Sequence, residues 1–440
     1  MSEPSLFLGL ETAGTGIHPA SWRRADSGAE DLFTADYWIR VVTEAEQLGF
    51  DAVFLPDSFG IQSGGAAVTR GRLDAVAIAA RTAPLTSRIG LIPQVPVTHT
   101  EPFHVSKAVT ALDFASLGRA GWEVTVSTGE AKAFGRKAIQ DSTSLWQEAD
   151  EAVEVVTRLW DSWEDDAEIR DVPTGRFIDR DRLHYIDFVG EHFSVKGPSI
   201  TPRSPQGQPI VTIHADDEAS TEVAVHRADL IRITAPDLAT ARERRIALRA
   251  AIAGAGRDPD TVRVLLDLPV HLADSADAAQ VEVLELDRWA GTAETPSSHL
   301  PGTTPSEAAP TQLRHVGTVA ELDELLADIS RNAIADGVVL RPLALPATLS
   351  TITAPWRTAT PYDGTPVEPA APRDPANDSS ALRPLAARRD PADDSGALRS
   401  PAARRDPADD SSAGRSPATL RDHLGLPRPA SRYATTGAAL

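Results

Sequence analysis

Apolar residues along this chain keep two rhythms that take turns. Predominantly apolar runs of strand length stand at 6–11, 52–55, 89–97, 122–126, 209–214, 230–233, 262–270 and 338–340. Between them, apolar positions recur every third or fourth residue over 37–48, 73–83, 102–115, 144–163, 218–226, 238–253, 276–290 and 318–332, which is the spacing of a helix with one buried face. The punctuation agrees. Gly49 stands where the first helix needs a left-handed residue to stop. Pro102 opens the third helix, where a missing N–H costs nothing, and Gly118 ends it. A helix carries the chain back between successive strands, so the strands are predicted to run parallel.

Eight strands alternating with helices predict an α/β chain of the (β/α)8 type, a TIM barrel; on pattern alone, a doubly wound open sheet accommodates the alternation equally. Two stretches break the rhythm. Residues 165–208, an insertion after the fourth helix, are charged, and 185–188 and 192–195 on either side of Gly190 predict a small hairpin. Residues 373–420 are three tandem 16-residue units that begin RDPAND, RDPADD and RDPADD. No unit holds an aromatic residue and none more than two leucines, too little to bury a core by stacking, so a disordered C-terminal segment is expected. The chain thus divides into a barrel over 1–360, a linker over 361–419 and a C-terminal docking motif over 420–440.

Charge narrows the partners. The chain has 63 acidic and 43 basic residues, a formal charge of −20, and the repeats hold eight Arg against eight Asp, so the excess lies in the body. That balance argues against nucleic acid and anionic membrane. There is no cysteine, which excludes disulfides and thiolate chemistry. The first residues lack the basic start and apolar core of a signal peptide, and no apolar run approaches the roughly 18 residues that span a bilayer. A cytoplasmic chain is expected.

In a (β/α)8 barrel the site lies at the C-terminal ends of the strands. That rule gathers Glu11, Asp57, Ser58, Thr98, His99, Ser127, Thr128, His214 to Asp217, Thr234, His271 and Arg341. Each has a structural alternative: Asp57 as a cap for its loop, His214 as a hydrogen-bonded core histidine. A metal site at His214, Asp216 and Asp217 ranks low, because adjacent residues rarely converge on one ion.

The order Pro-Phe-His-Val-Ser-Lys at 102–107, Leu112-Asp113, Gly-Arg-Ala-Gly-Trp at 118–122 and Phe134-Gly135 resembles the bacterial-luciferase-like flavin monooxygenases. Within them it resembles the group of the nitrilotriacetate and dibenzothiophene-sulfone monooxygenases. Ser-Pro-Gln-Gly at 204–207 and the closing stretch 420–433 resemble the same family. The resemblance decides for the barrel over the open sheet. It implies a two-component monooxygenase: reduced FMN comes from a separate flavin reductase, its ring sits in the barrel mouth, and with dioxygen it oxidises a small organic substrate. No acid–base pair is then demanded of the protein, and no catalytic side chain is named. By the same resemblance Asp57, Ser58, Thr98 and Ser127 border the flavin, His18 and Trp22 the substrate entrance, and a homodimer is expected.

The departures are as informative. Relatives follow the fifth strand with small residues whose N–H groups meet the FMN phosphate. Here that stretch is His214-Ala215-Asp216-Asp217-Glu218, and its three carboxylates repel a phosphate. Where relatives carry a His and a Tyr at the start of the fourth helix, this chain has Ser142 and Trp146; Glu123 replaces an Asn. With Trp146, His214 and Asp216 completing the cofactor-side candidates, the alternative is a flavin-free or deazaflavin-using barrel of the same family, acting as a binding protein or a different oxidoreductase.

Overall fold

The computed structural model describes residues 6–62, 69–127, 129–135, 137–291, 312–353 and 418–434. Eight parallel strands close on themselves: β1 (Phe7–Glu11), β2 (Ala52–Leu55), β3 (Gly90–Pro96), β4 (Gly121–Thr125), β5 (Ile210–His214), β6 (Leu230–Ile233), β7 (Arg263–Leu272) and β8 (Gly337–Pro342). Neighbours in sequence are neighbours in the sheet, and β8 returns to β1 with Phe7 opposite Gly337 and Leu10 opposite Leu340. The strands are almost wholly buried, as a sheet lined inside by side chains and covered outside by helices requires. β7 outruns the barrel and pairs with an extra strand, His315–Gly317, that the apolar pattern does not announce.

The outer layer is α1 (Ala35–Gln47), α2 (Ala75–Thr82), α3 (Pro102–Ala115), α4 (Ser142–Asp161), α5 (Glu218–Arg227), α6 (Leu238–Gly254), α7 (Ala276–Ala290) and α8 (Val319–Arg331). Seven of these helices open on a side-chain cap, from Thr34, Asp74, Asp141, Asp217, Asp237, Ser275 and Thr318. Each cap satisfies an N–H that the first turn leaves open. The insertion after α4 holds two hairpins rather than one: Phe188–Val189 with Ser194–Val195, and Glu168–Asp171 with Arg176–Ile178. The Glu151 carboxylate on α4 seats the first hairpin by accepting the N–H groups of Glu191, His192 and Phe193 at 2.7, 2.8 and 3.2 Å.

Asp113, Arg119 and Gln206, three of the motif residues quoted above, gather at the floor, the N-terminal end of the strands. Arg119 is buried and donates to the carbonyls of Ala83, Thr86, Ile89 and Ser116. Asp113 accepts from the Ala120 N–H and from Gln206 Nε2, which also reaches the Ala120 carbonyl at 2.7 Å. Residues 418–434 complete the floor. The short helix Leu420–Leu424 buries Leu420 and Leu424, with Leu426, against Phe7, Ala52, Ile210 and Leu230. Arg421 pairs with Asp229 at 2.9 Å and Arg428 with Asp165 at 2.6 Å. Gly118 is needed where the tail passes: a Cβ there would come within 2.7 Å of Thr419 Cγ2. The 373–420 repeats and the linker that holds them lie, but for their last residues, outside the described residues. Among the described residues no helix is long and apolar enough to cross a membrane.

Candidate active site at the barrel mouth

Inside the barrel the strands bring together a charged cluster centred on Arg232 of β6. Its Nε donates to Asp267 Oδ1 at 2.8 Å, Nη1 to Glu123 Oε1 at 2.9 Å, and Nη2 to Glu11 Oε2 at 2.6 Å and Asp267 Oδ2 at 2.7 Å. Its guanidinium lies over the Phe54 ring, 4.9 Å from the centroid. Arg341 of β8 donates from Nε to Glu11 Oε1 at 2.9 Å. His214 of β5 lies with Nε2 3.1 Å from Asp267 Oδ2 and Nδ1 2.6 Å from Asp216 Oδ1. Six side chains from six strands thus share one network. Arg232, Glu123 and Asp267 are all but inaccessible, and burial of this kind demands that every charge be paired.

The pairing sets the protonation states. Burial alone would raise the Glu11 carboxyl, but Arg232 and Arg341 hold it below its ordinary value. Burial pushes Glu123 up, against the pull of Arg232. Burial works to lower His214, yet its contacts with Asp216 and Asp267 raise it to about 9, so the imidazole is protonated at neutral pH. At that pH His214, Arg232 and Arg341 face Glu11, Glu123 and Asp267.

Toward solvent the mouth opens into a cavity of about 460 Å³ between the first loop, the β2 end and the β8 end. His18 and Arg341 line it, together with Leu32, Trp38, Leu55 and Ile78. His18 is held in place, with Nε2 3.2 Å from Asp287 Oδ1 and Nδ1 accepting the Ala20 N–H. Trp22, on the adjoining turn Ser21–Arg23, is not part of the lining. Across the mouth, Thr98 Oγ1 accepts the Ser127 N–H at 2.9 Å and joins the ends of β3 and β4. Ser127 Oγ is buried without a partner among the described residues. His99 stacks on Phe134 with centroids 4.4 Å apart, and Phe59 meets Phe134 edge-on at 5.0 Å. Asp57 accepts the N–H groups of Ser58 and Ala75, at 2.7 and 3.0 Å, and so ties the β2 end to the start of α2. Ser58 Oγ closes the same loop on the Gly60 carbonyl. Thr128 lies outside the described residues.

The start of α5 is occupied by the chain itself. Asp217 caps the helix: Oδ1 accepts the Ser220 N–H at 2.8 Å, and Oδ2 accepts the Ser142 hydroxyl at 2.5 Å. Ser220 Oγ in turn accepts the N–H groups of Asp216 and Asp217, at 3.0 and 2.9 Å. The donors that a phosphate would use are spent on the Asp217 carboxylate and the Ser220 hydroxyl, and Asp216 and Glu218 add negative charge beside them. This helix start does not fit a phosphate. Asp216 and Asp217 point to different partners, so with His214 they do not converge on a cation either. Trp146 faces another space, a groove of about 700 Å³ between α4 and α5.

A family model, that of the luciferase-like monooxygenases, matches residues 15–356. The chain belongs to the luciferase-like monooxygenase family. It is 36% identical over 282 residues to the N-acetyl-S-(2-succino)cysteine monooxygenase of Bacillus subtilis, covering 63% of this chain and 64% of that protein. It is 30% identical over 287 residues to the dibenzothiophene-sulfone monooxygenase of Rhodococcus erythropolis, covering 62% and 63%. The chain therefore spans just under two thirds of the length of these curated relatives. The EDTA monooxygenase of a Chelativorans species superposes with a TM-score of 0.74 at 19% identity, over 96% of this chain and 99% of that one. The crystal structure of a long-chain alkane monooxygenase gives 0.71 at 23% identity, over 81% and 91%. These two likenesses show the luciferase-like barrel fold.

Within the luciferase-like barrel, strand ends located the mouth residues from sequence, but the central pair was missed. Arg232 and Asp267 sit inside the apolar runs LIRI and VLLDLPV, where each reads as a lapse in the pattern. The signal was the charge itself. A charged residue in the middle of a buried strand implies an opposite charge on a facing strand.

Proposed function

We propose that this luciferase-like barrel is a flavin-dependent monooxygenase of the two-component type, which uses reduced FMN from a separate reductase, together with dioxygen, to oxidise a small organic substrate. One observation supports the reading above others: the family match runs from the first mouth loop past the eighth strand, over the loops that build the mouth. The oxidising chemistry would belong to the flavin and dioxygen. The chain's part is to bind, to orient and to keep water out. On this reading Asp57, Ser58, Thr98 and Ser127 border the flavin ring, with the stacked His99 and Phe134 beside them, and His18 and Trp22 border the substrate entrance. The phosphate has no seat at the start of α5, so the side defined by Trp146, His214 and Asp216 departs from the family. A homodimer in the cytoplasm completes the proposal, with residues 1–360 as the barrel, 361–419 as a linker and 420–440 as its docking tail.

A second reading, a barrel of this family that uses a deazaflavin or no flavin, is favoured by the Asp217 carboxylate at that helix start. Titration of the purified protein with oxidised and with reduced FMN, followed by flavin fluorescence and calorimetry, separates the two. Micromolar binding of reduced FMN is expected from the first. Binding of neither form at millimolar FMN refutes it and leaves the second.

A further inference from the structure

We infer that the mouth cavity seats a substrate that joins a carboxylate to an apolar body, and that the Arg341 guanidinium anchors the carboxylate. Arg341 reaches the cavity from the end of β8. Its Nε is engaged by Glu11 Oε1 at 2.9 Å, which fixes the plane of the group. Its two Nη atoms have no partner among the described residues, and the side chain is 26% exposed where it lines the cavity. A planar fork of N–H donors, held at one edge and open at the other, matches the two oxygens of a carboxylate.

The other charges that face the cavity agree. Both Glu11 oxygens are already taken, by Arg232 and Arg341, so this carboxylate does not compete for the open edge. Arg72 is a second cationic residue of the lining. His18 is balanced by Asp287. In a chain of formal charge −20, this is a locally cationic corner. The remaining wall is apolar, with Leu32, Trp38, Leu55 and Ile78, and about 460 Å³ holds a small organic molecule. A neutral hydrocarbon would leave the open N–H groups without partners, at a cost a carboxylate avoids.

The inference rests on the mouth being the substrate chamber of the proposed monooxygenase. Its test uses no flavin, so the two can fail separately. The full-length protein is titrated by calorimetry with the ω-phenylalkanoates from phenylacetate to 6-phenylhexanoate and with the matching primary amides. At least one acid is expected to bind at or below about 1 mM, with its amide at least about tenfold weaker. Arg341→Met should abolish that preference. Arg341→Lys keeps a cation for Glu11 but loses the fork, and it should weaken the acid by about threefold or more while leaving the amide unchanged. It also decides the matter if the Met variant fails to fold. Equal binding of acid and amide, an acid affinity unchanged in the Lys variant, or no acid binding at about 10 mM would each overturn the inference. Loss of flavin binding would leave it standing.

Discussion

Replacing Arg232 by Met removes the cation that Glu11, Glu123 and Asp267 share. Its contacts run from 2.6 to 2.9 Å, and at an effective dielectric near 20 each is worth about 6 kcal/mol before desolvation. Burying the four groups costs several kcal/mol per ion, so the intact cluster comes close to breaking even. The substitution keeps that cost and discards the attraction. Glu11 retains Arg341, and Asp267 retains His214. Glu123 draws its charged hydrogen bonds from Arg232 alone among the described residues, so the penalty concentrates there. A loss of about 3–5 kcal/mol is expected, read as a fall of about 6–10 °C in Tm. Glu123 already titrates above its ordinary value, and without Arg232 it rises further. A carboxyl whose folded pKa exceeds its unfolded one costs stability as the pH climbs past the unfolded value. The gap between wild type and variant should therefore widen as the pH climbs above the usual carboxylate range. Adding Glu123→Gln to the variant should recover about 1–2 kcal/mol by removing the stranded charge. Urea unfolding of the two single variants and the double variant makes the cycle. A cost below about 1 kcal/mol for Arg232→Met, or strict additivity in the double variant, would mean that Arg232 does not hold the Glu123 charge.

Three further outcomes follow from the same geometry. His214, raised to about 9 from 6.5, stabilises the fold fully below its unfolded pKa and loses that contribution as the pH rises through about 9. The loss is about 3 kcal/mol at most, since Asp216 is two-thirds exposed and partly screened; urea unfolding across that range should show it, and a His214→Gln variant of equal slope would rule His214 out. The double substitution Asp216→Gly with Asp217→Ser should tighten FMN by about tenfold or more in fluorescence titration while the new Ser keeps the α5 cap; unchanged affinity would show that these carboxylates do not guard against phosphate. Leu420→Ala should cost about 2–5 kcal/mol in urea unfolding, because Leu420 is fully buried under the strands; a cost near zero would mean that the tail packs on the floor without bracing it.

Much of the barrel was legible because its signals are local. Apolar runs, Pro102 and Gly118 mark element ends without knowledge of any neighbour. Asp57 was readable as a cap for the same reason, since a cap bonds within a few residues or to the loop beside it; the cap of α5 is Asp217, one position beyond Asp216, the residue the local pattern offers. The hairpin Glu168–Asp171 with Arg176–Ile178 was not legible: its exposed strands carry charge where the pattern seeks apolar residues. Nor was the strand His315–Gly317, whose three residues depend on the overhang of β7. The central network failed to appear for another reason. Glu11, Glu123, Arg232 and Asp267 meet only after 221 positions have been closed between Glu11 and Arg232, and nothing in the local pattern says which strands face each other across a barrel. The motif of Arg119 was recognisable as a string but not as a function, because its work is to tie carbonyls at the floor and not to build the mouth.

The floor also sets a timetable. Phe7 is synthesised long before the leucines that cover it, which lie at 420, 424 and 426. The barrel sheet is complete once Pro342 is available, and at a usual pace of about 5–20 residues per second the ribosome needs about 4–17 s more to reach Leu426. A barrel that closes within that interval presents Phe7, Ile210 and Leu230 as an open apolar disc. Chaperone capture and the pairing of unfinished chains would compete for that surface, and the yield of folded protein depends on how quickly the last turn arrives.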